Sequence, residues 1–474
     1  MEWAMIALPL VLLVLGFPVF LVLLGASIAV LLFFSNDPAT IIHQQMFGSV
    51  TKFALLAVPF FIFAGEMMSR GGVSVRLINW VGSIVGGVRG ALPMTVVGTA
   101  TVFGAISGST AATVAAVGTL TYEPLRAKGY DEKFASGLLT SAGAIANIIP
   151  PSIAMILYAY AAEASVVDLF AAGILPGLLL AGCFGGYIYW YARRHNIRES
   201  DSVSWRGFLA ATKSGAWALG APMIVLGGIY SGVFAPTEAA GIACVYAMFV
   251  TVCIYREATL KDLFDVAASS VYLTAQIFLI VAFAGVYSWL LTVSGAAQGA
   301  VDLIEALNVS PWMLLLVINV FLLLVGTVLD TASAILVLTP LLANIASALG
   351  IDLVHFGIIV VMNLSIGTFT PPFGLNIFVG QAVFKVPLSS LCRSGFCNSS
   401  EEKFMIALIG ATGTTGKYVV EELVRKGVEF RCIVRDKDRA RQALGVDIAL
   451  VTGDISDSAT VEAGCAGCDK LFLL

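Results

Sequence analysis

The chain has 474 residues, of which 59% are hydrophobic and only 12% charged, with a formal net charge of −4 at pH 7. Soluble domains carry about 25% charged residues, so no single water-soluble core accounts for this much apolar sequence, and a lipid bilayer is the expected solvent. The balance of charge gives no case for nucleic acid as a partner.

Residues 1–34 lack the basic start and small-residue cleavage site of a signal peptide. Their apolar run exceeds the roughly 20 residues that one span needs. One or two retained membrane helices are expected there, interrupted near Gly16, Phe17 and Pro18. The 47 glycines suit helices that approach closely in lipid.

Lys and Arg favour cytoplasmic loops. The positive segments 70–90, 121–134, 192–213 and 256–265 are therefore placed inside, and the segments 161–168, 233–238 and 293–309, which hold no Lys or Arg, outside. Spans at 135–160, 169–191, 214–232, 239–255 and about 268–292 alternate consistently between them. Residues 91–120 connect two inside segments and hold Ser107-Gly108-Ser109-Thr110 within an apolar run. A re-entrant hairpin with its tip at the Gly/Ser turn satisfies both ends; two short full spans are the alternative. Irregular backbone at membrane depth is tolerated only beside protein or a water-filled cavity, so the tip is a candidate site.

A shift of 221 residues superimposes the sequence on itself without a gap. Thr110 meets Thr331, Gly129 and Asp131 meet Gly350 and Asp352, and Pro150-Pro151 meets Pro371-Pro372. The segment 121–134 is cationic and its counterpart 342–355 is not, and five spans separate them. The second copy is therefore expected to be inverted, with repeat regions at about 91–160 and 311–383 and a second re-entrant hairpin over 311–349. Inverted repeats with broken helices are the architecture of many secondary transporters.

Two segments carry the expected chemistry. Asn147-Ile-Ile-Pro150-Pro151-Ser152 and Gly367-Thr368-Phe-Thr370-Pro371-Pro372 each interrupt a span. Proline removes a backbone donor and clashes one turn back, so paired prolines unwind a helix and free carbonyls. A dehydrated hard cation such as Na⁺ takes oxygen ligands; the alternative is a plain proline kink. Each break is expected beside a hairpin tip, 107–113 with 143–152 and 326–333 with 364–374. Ser107, Ser109, Thr110, Asn147, Thr331, Ser333, Thr368 and Thr370 could add further oxygens, and Na⁺ is expected near Ser109, Asn147, Asp330 and Thr368. Asp330, after Gly326 at the second tip, places a carboxylate at membrane depth, where such groups are functional by default; the competing reading is a helix cap. Glu66 and Glu238 are weaker candidates. His43, His195 and His355 fall in expected loops, so hydrolytic catalysis has no support.

Taken together, Pro59–Glu66 (PFFIFAGE), Ser107–Thr110 (SGST), Ile149–Ser152 (IPPS), Pro236–Ala240 (PTEAA) and Gly367–Pro372 (GTFTPP) resemble the large membrane subunit of a TRAP (tripartite ATP-independent periplasmic) transporter over residues 1–388. The resemblance implies an all-α polytopic membrane protein with two re-entrant hairpins and two broken helices, working as an elevator. It implies Na⁺-coupled uptake of a small organic acid, such as a C4-dicarboxylate or sialic acid, across the bacterial inner membrane without ATP. It also implies two partners, a small four-helix membrane subunit and a periplasmic substrate-binding protein. The family pattern includes one more hydrophobic helix after the segment 356–383, whereas this chain turns polar near Pro387.

Composition changes after a polar linker at 389–403. Residues 404–409 read as a buried strand, followed by Gly410, Gly413 and Gly416 in GxxGxxG spacing, a helix, and a second strand over 429–434 ending at Arg435. Strand, glycine loop and helix is the context a dinucleotide fingerprint needs. The segment 404–474 resembles part of an NmrA-like short-chain dehydrogenase, a partial Rossmann-like α/β fragment placed in the cytoplasm. Arg435 would then meet a 2′-phosphate and favour NADP. Of the eight cysteines, Cys465 and Cys468 have CxxC spacing, but no second pair or nearby His completes a zinc site. A membrane-tethered NADP-binding sensor or reductase is the alternative function.

Overall fold

The computed structural model describes residues 2–35, 37–38, 40–197, 204–306, 310–387, 391, 406–409, 411, 417, 419–420, 423–424, 430–444, 448–453, 460 and 470–473. The chain forms two compact units, Met1–Phe396 and Cys397–Leu474.

The first unit is helical throughout. Helices α1 (Glu2–Val14) and α2 (Val19–Phe34) part at Gly16-Phe17-Pro18, where a proline with no N–H ends the ladder and starts a new helix. α3 (Thr40–Val50), α4 (Ala57–Arg70) and α5 (Val73–Val85) follow. The segment 70–90, expected as a loop, thus contains a helix: α5 is an apolar helix of 13 residues, between three and four turns, that packs on the helices after it and is too short to register as a span of its own. Next come α6 (Ala91–Ser107), α7 (Thr110–Ala127), α8 (Glu132–Ala142), a 3₁₀ turn (Gly143–Asn147) and α9 (Ile153–Ala162).

Long spans join the halves: α10 (Val166–Arg194), α11 (Trp205–Tyr230), α12 (Pro236–Met248), continued by a π-helical turn (Phe249–Ile254), and α13 (Leu260–Val293). α14 (Ala296–Ala306) fills a segment expected as an outside loop. The second half then repeats the first: α15 (Pro311–Gly326), α16 (Thr331–Ala348), α17 (Leu353–Gly367) and α18 (Leu375–Phe384). His43 lies in α3 and His355 in α17, not in loops, while His195 caps the end of α10.

The 221-residue shift holds at the level of elements. It carries both ends of α7 onto both ends of α16, and the start of α8 onto the start of α17. The N-caps correspond too: Ser109 and Asp330 accept backbone N–H bonds at the starts of α7 and α16, and Asp131 and Asp352 do so for α8 and α17. The Pro150–Pro151 and Pro371–Pro372 bonds are both cis. The halves interlock rather than stand side by side, since α16 packs on α9 and its counterpart α7 packs on α18.

Among the described residues, six helical segments are long and apolar enough to cross a membrane. Their outer faces expose Leu175, Leu179, Met223, Val245 and Val271. Such faces are unfavourable in water but match acyl chains, and the interior is built by close packing rather than by escape from water.

The second unit contains β1 (Ile406–Ile409), β2 (Phe430–Val434), α19 (Lys437–Leu444), β3 (Ala449–Thr452) and β4 (Lys470–Leu473). The strands form one parallel sheet in the order β3-β2-β1-β4, with Ile406 opposite both Phe430 and Lys470. Leu408, Val420, Cys432, Val434 and Ala440 form its small core. That order is the start of a doubly wound nucleotide-binding sheet. Gly410, Gly413, Gly416 and the Cys465/Cys468 pair lie outside the described residues.

Candidate functional site

The first hairpin, α6–α7, turns at Gly108 and Ser109. Gly108 has φ +58°, and a Cβ on it would lie 2.8 Å from the Pro151 carbonyl oxygen, so only glycine lets this tip sit against the first break. Ser107 Oγ lies 3.2 Å from Thr113 Oγ1, Thr113 Oγ1 donates to the Ser109 carbonyl at 2.9 Å, and Ser109 Oγ accepts from Ala112 N at 3.4 Å. Because the tip meets the middle of the interrupted span α8–α9, the hairpin reaches only partway through the helical layer.

At the break itself, Pro150 and Pro151 cannot donate to the carbonyls of Ala146 and Asn147. Ser152 Oγ donates to the Asn147 carbonyl and caps α9 through Met155 N. The second break is closed differently: Thr370 N donates to Gly367 O at 3.0 Å and Asn376 N to Thr368 O at 2.9 Å. Three of the carbonyls that the prolines release, those of Asn147, Gly367 and Thr368, therefore already have an internal donor. A carbonyl oxygen has two lone pairs, so each keeps one for a further partner.

The second hairpin, α15–α16, presses backbone on backbone against its break. A Cβ on Gly367 would sit 2.5 Å from Gly326 Cα. Asp330 at this tip caps α16, its Oδ2 accepting from Ser333 N at 3.0 Å, which leaves Oδ1 uncommitted. Each tip thus lies at the break expected for it. The sequence did not indicate that the two pairs also meet each other. Asn147 Nδ2 donates to Thr331 Oγ1 at 3.3 Å, and Asn376 Nδ2 donates to the Thr140 carbonyl at 3.1 Å, both buried and both between halves.

These contacts surround a cavity of about 820 Å³. Ser107, Ser109, Thr110, Asn147, Asp330, Thr331 and Ser333 all line it. Pro150, Pro151, Gly326, Gly367, Thr368, Thr370, Pro371 and Pro372 do not; the first five are buried, Thr370 and Pro371 are half-buried and Pro372 is exposed. The Thr368 and Thr370 hydroxyls turn back into their own segment, donating to Ser365 O at 2.6 Å and Ile366 O at 2.8 Å. The N-termini of α7, α9, α16 and α18 face the same space through Thr110, Ile153, Thr331 and Leu375. Each carries unpaired N–H groups and about half a unit of positive charge, so the four together favour an anion.

Of the opposite wall, sequence reasoning named only Glu66, as a weaker candidate, and missed the rest. α4 contributes Gly65, Glu66, Ser69 and Arg70, and α13 contributes Ser269 and Gln276. Glu66 Oε1 pairs with Arg70 Nη2 at 3.1 Å, and Glu66 Oε2 accepts from Ser270 Oγ at 3.2 Å, tying α4 to α13. The available signal was a pair of opposite charges at i and i+4 in an otherwise apolar helix. Glu238, by contrast, caps the start of α12, its Oε2 accepting from Ala235 N at 2.9 Å.

Among the described residues no three His, Cys, Asp or Glu side chains converge as a metal cluster. The donors around the tips are hydroxyl, amide and carbonyl oxygens plus one carboxylate, a set suited to a hard monovalent cation. Asn376 Oδ1 adds a buried acceptor with no hydrogen-bond partner among the described residues, beside the Thr140 carbonyl.

Comparison with known proteins agrees with this architecture. The family model of the tripartite ATP-independent periplasmic transporter DctM component matches residues 6–411, and an NAD(P)H-binding model matches residues 410–474. The chain is 41% identical over 372 residues to the C4-dicarboxylate TRAP transporter large permease protein DctM of Pseudomonas aeruginosa, covering 78% of this chain and 87% of that one. It is 37% identical over 404 residues to the ectoine/5-hydroxyectoine TRAP transporter large permease protein UehC of Ruegeria pomeroyi, covering 85% and 93%. The crystal structure of the Alcanivorax borkumensis YdaH transporter superimposes with a TM-score of 0.55 at 15% identity, over 81% of this chain and 94% of that one, which supports the fold alone. By the extent of the family match and by these identities, the chain belongs to the large permease (DctM) family of TRAP transporters.

Proposed function

We propose that this chain is the large subunit of a Na⁺-coupled TRAP transporter that takes up a small organic anion through the bacterial inner membrane. The observation that carries this reading is the convergence of four helix N-termini, two from each half, on one cavity. That arrangement favours a carboxylate through backbone N–H groups and helix dipoles. The relatives named for C4-dicarboxylate and for ectoine point to carboxylate-bearing cargo. The two hairpins and broken helices form the moving body of an elevator, and the remaining spans its frame. A small four-helix membrane subunit and a periplasmic substrate-binding protein complete the system, and the C-terminal unit lies in the cytoplasm.

Ser109, Asn147, Asp330 and Thr368 are the side chains that would hold Na⁺, with carbonyls of the two breaks. Bound Na⁺ offsets the charge of the cargo and links its entry to the sodium gradient. Asp330 Oδ1 is the one ionised donor in that set. The test is thermal unfolding of the detergent-purified chain in matched NaCl and KCl. An ion that binds only the folded state at ten times its Kd adds about 1.4 kcal/mol. A higher melting temperature in NaCl, reduced in Asp330→Asn, is expected; equal melting in both salts would overturn sodium coupling.

The sheet order β3-β2-β1-β4 and the NAD(P)H-binding match support a second, separate reading for the tail. There Gly410, Gly413 and Gly416 would cradle a pyrophosphate, and Arg435, directly after β2, would select NADP. NADPH fluorescence titration checks this: binding abolished by Gly413→Asp supports it, and no binding by the wild-type chain rules it out.

A further inference from the structure

Arg70 is the one cation among the described residues that line the cavity, where Glu66 and Asp330 are the two acids. It sits at the last turn of α4, at the rim. Its guanidinium has five N–H donors. One, from Nη2, goes to Glu66 Oε1, and the rest have no acceptor among the described residues. Glu66 is the fixed member of the pair, held by Ser270 on α13 and 22% exposed, whereas the Arg70 side chain is 44% exposed. The charge of Arg70 also reaches Asp262 at the start of α13. A guanidinium anchored at one edge and open at the other is suited to take a carboxylate in bidentate fashion.

Resting on the transport reading above, we propose that Arg70 is a substrate-binding residue at the rim of the cavity, exchanging Glu66 for a carboxylate of the cargo as the cargo passes. Glu66 competes with the cargo for the same guanidinium. That competition keeps the hold weak enough for release, since a site on a transport path must bind well enough to admit and loosely enough to let go. Charge at the rim is thereby specific for cargo with an accessible carboxylate, and the helix N-termini deeper in the cavity act on the same group in turn.

An ordinary i,i+4 ion pair predicts the same outcome whichever partner is removed. The proposal predicts opposite outcomes. The full chain, purified in detergent with NaCl, is titrated with succinate, and the succinate-dependent rise in melting temperature gives an apparent Kd. Arg70→Gln is expected to raise that Kd about tenfold, the loss of one charge-assisted pair. Glu66→Gln, which frees the guanidinium, is expected to lower it several-fold, with Arg70→Lys between wild type and Arg70→Gln. Each variant's own rise in NaCl over KCl reports that it is folded, and Glu66→Gln and Arg70→Lys decide the matter alone if Arg70→Gln does not fold. Shifts of the same sign in the Arg70 and Glu66 variants, or no change in Arg70→Gln, overturn the proposal. A wild-type chain that responds to sodium but not to succinate overturns it and leaves the transport reading standing; a chain that responds to neither overturns both.

Discussion

Asp330 does two jobs with two oxygens. Oδ2 caps α16 through Ser333 N, and Oδ1 has no hydrogen-bond partner among the described residues, on a residue that lines the cavity. Asn is also a good N-cap, while Ala is not, and losing a cap costs about 1 kcal/mol. Asp330→Asn should therefore melt like wild type in KCl but lose most of its sodium-dependent rise, whereas Asp330→Ala should lose stability in both salts. Differential scanning fluorimetry separates the two, and an equal loss in both salts for Asp330→Asn would leave the carboxylate with a capping role alone. Gly367 gives a purely steric test. Its Cβ would meet backbone that cannot yield, so Gly367→Ala should cost about 1–3 kcal/mol, while Gly182→Ala, with nothing within 4 Å, should be neutral. The tip residues were legible in the sequence because Gly, Ser and Asp are conspicuous inside apolar runs and because Thr110-Ala111 returns as Thr331-Ala332 at the 221-residue shift. Glu66 was legible only as a weaker candidate and Arg70 only as a charge of the segment 70–90, since their setting depends on α4 lying against α13, and no local pattern encodes which helices become neighbours.

At the scale of elements, the repeat is visible because helix ends, caps and paired prolines are punctuation that chance does not align. What the period could not supply was α5 and α3, apolar helices too short to register as spans, or the way α7 exchanges partners with α16. The expected inversion has a direct check. Ala127 and Ala348 close the two equivalent helices and are exposed. With the native cysteines replaced, Ala127→Cys should react with a membrane-impermeant maleimide only after the inner membrane is opened, and Ala348→Cys should react in intact spheroplasts. Labelling of both from one face would mean that the repeats run in the same direction.

Across the whole molecule, the membrane unit and the tail are separate compact bodies with separate relatives. Removal of residues 397–474 should leave the NaCl-over-KCl rise in melting temperature unchanged; a lost rise would make the tail part of the transport fold. The tail carries its own folding reporter. Burial pushes the Cys432 thiol up to about 11, and the thiolate is the reactive form. Alkylation of Cys432 should be negligible near neutral pH and appear only as pH climbs toward that value, while the exposed Cys183 and Cys253 react earlier. Prompt reaction of Cys432 at neutral pH, read by mass spectrometry, would mean that the sheet is not formed.

The Asn147–Thr331 and Asn376–Thr140 bonds have a mechanical meaning. They stitch one half to the other at the level of the tips, in opposite senses, like two rungs of a ladder. A motion that slides one tip past its twin must break both rungs in a dry interior, where each orphaned amide is costly. A motion that carries the rungs along intact breaks neither. The oxygens of the two tips and breaks thus share a single rigid frame, and under the elevator proposed above whatever they grip would keep its coordination geometry throughout the passage.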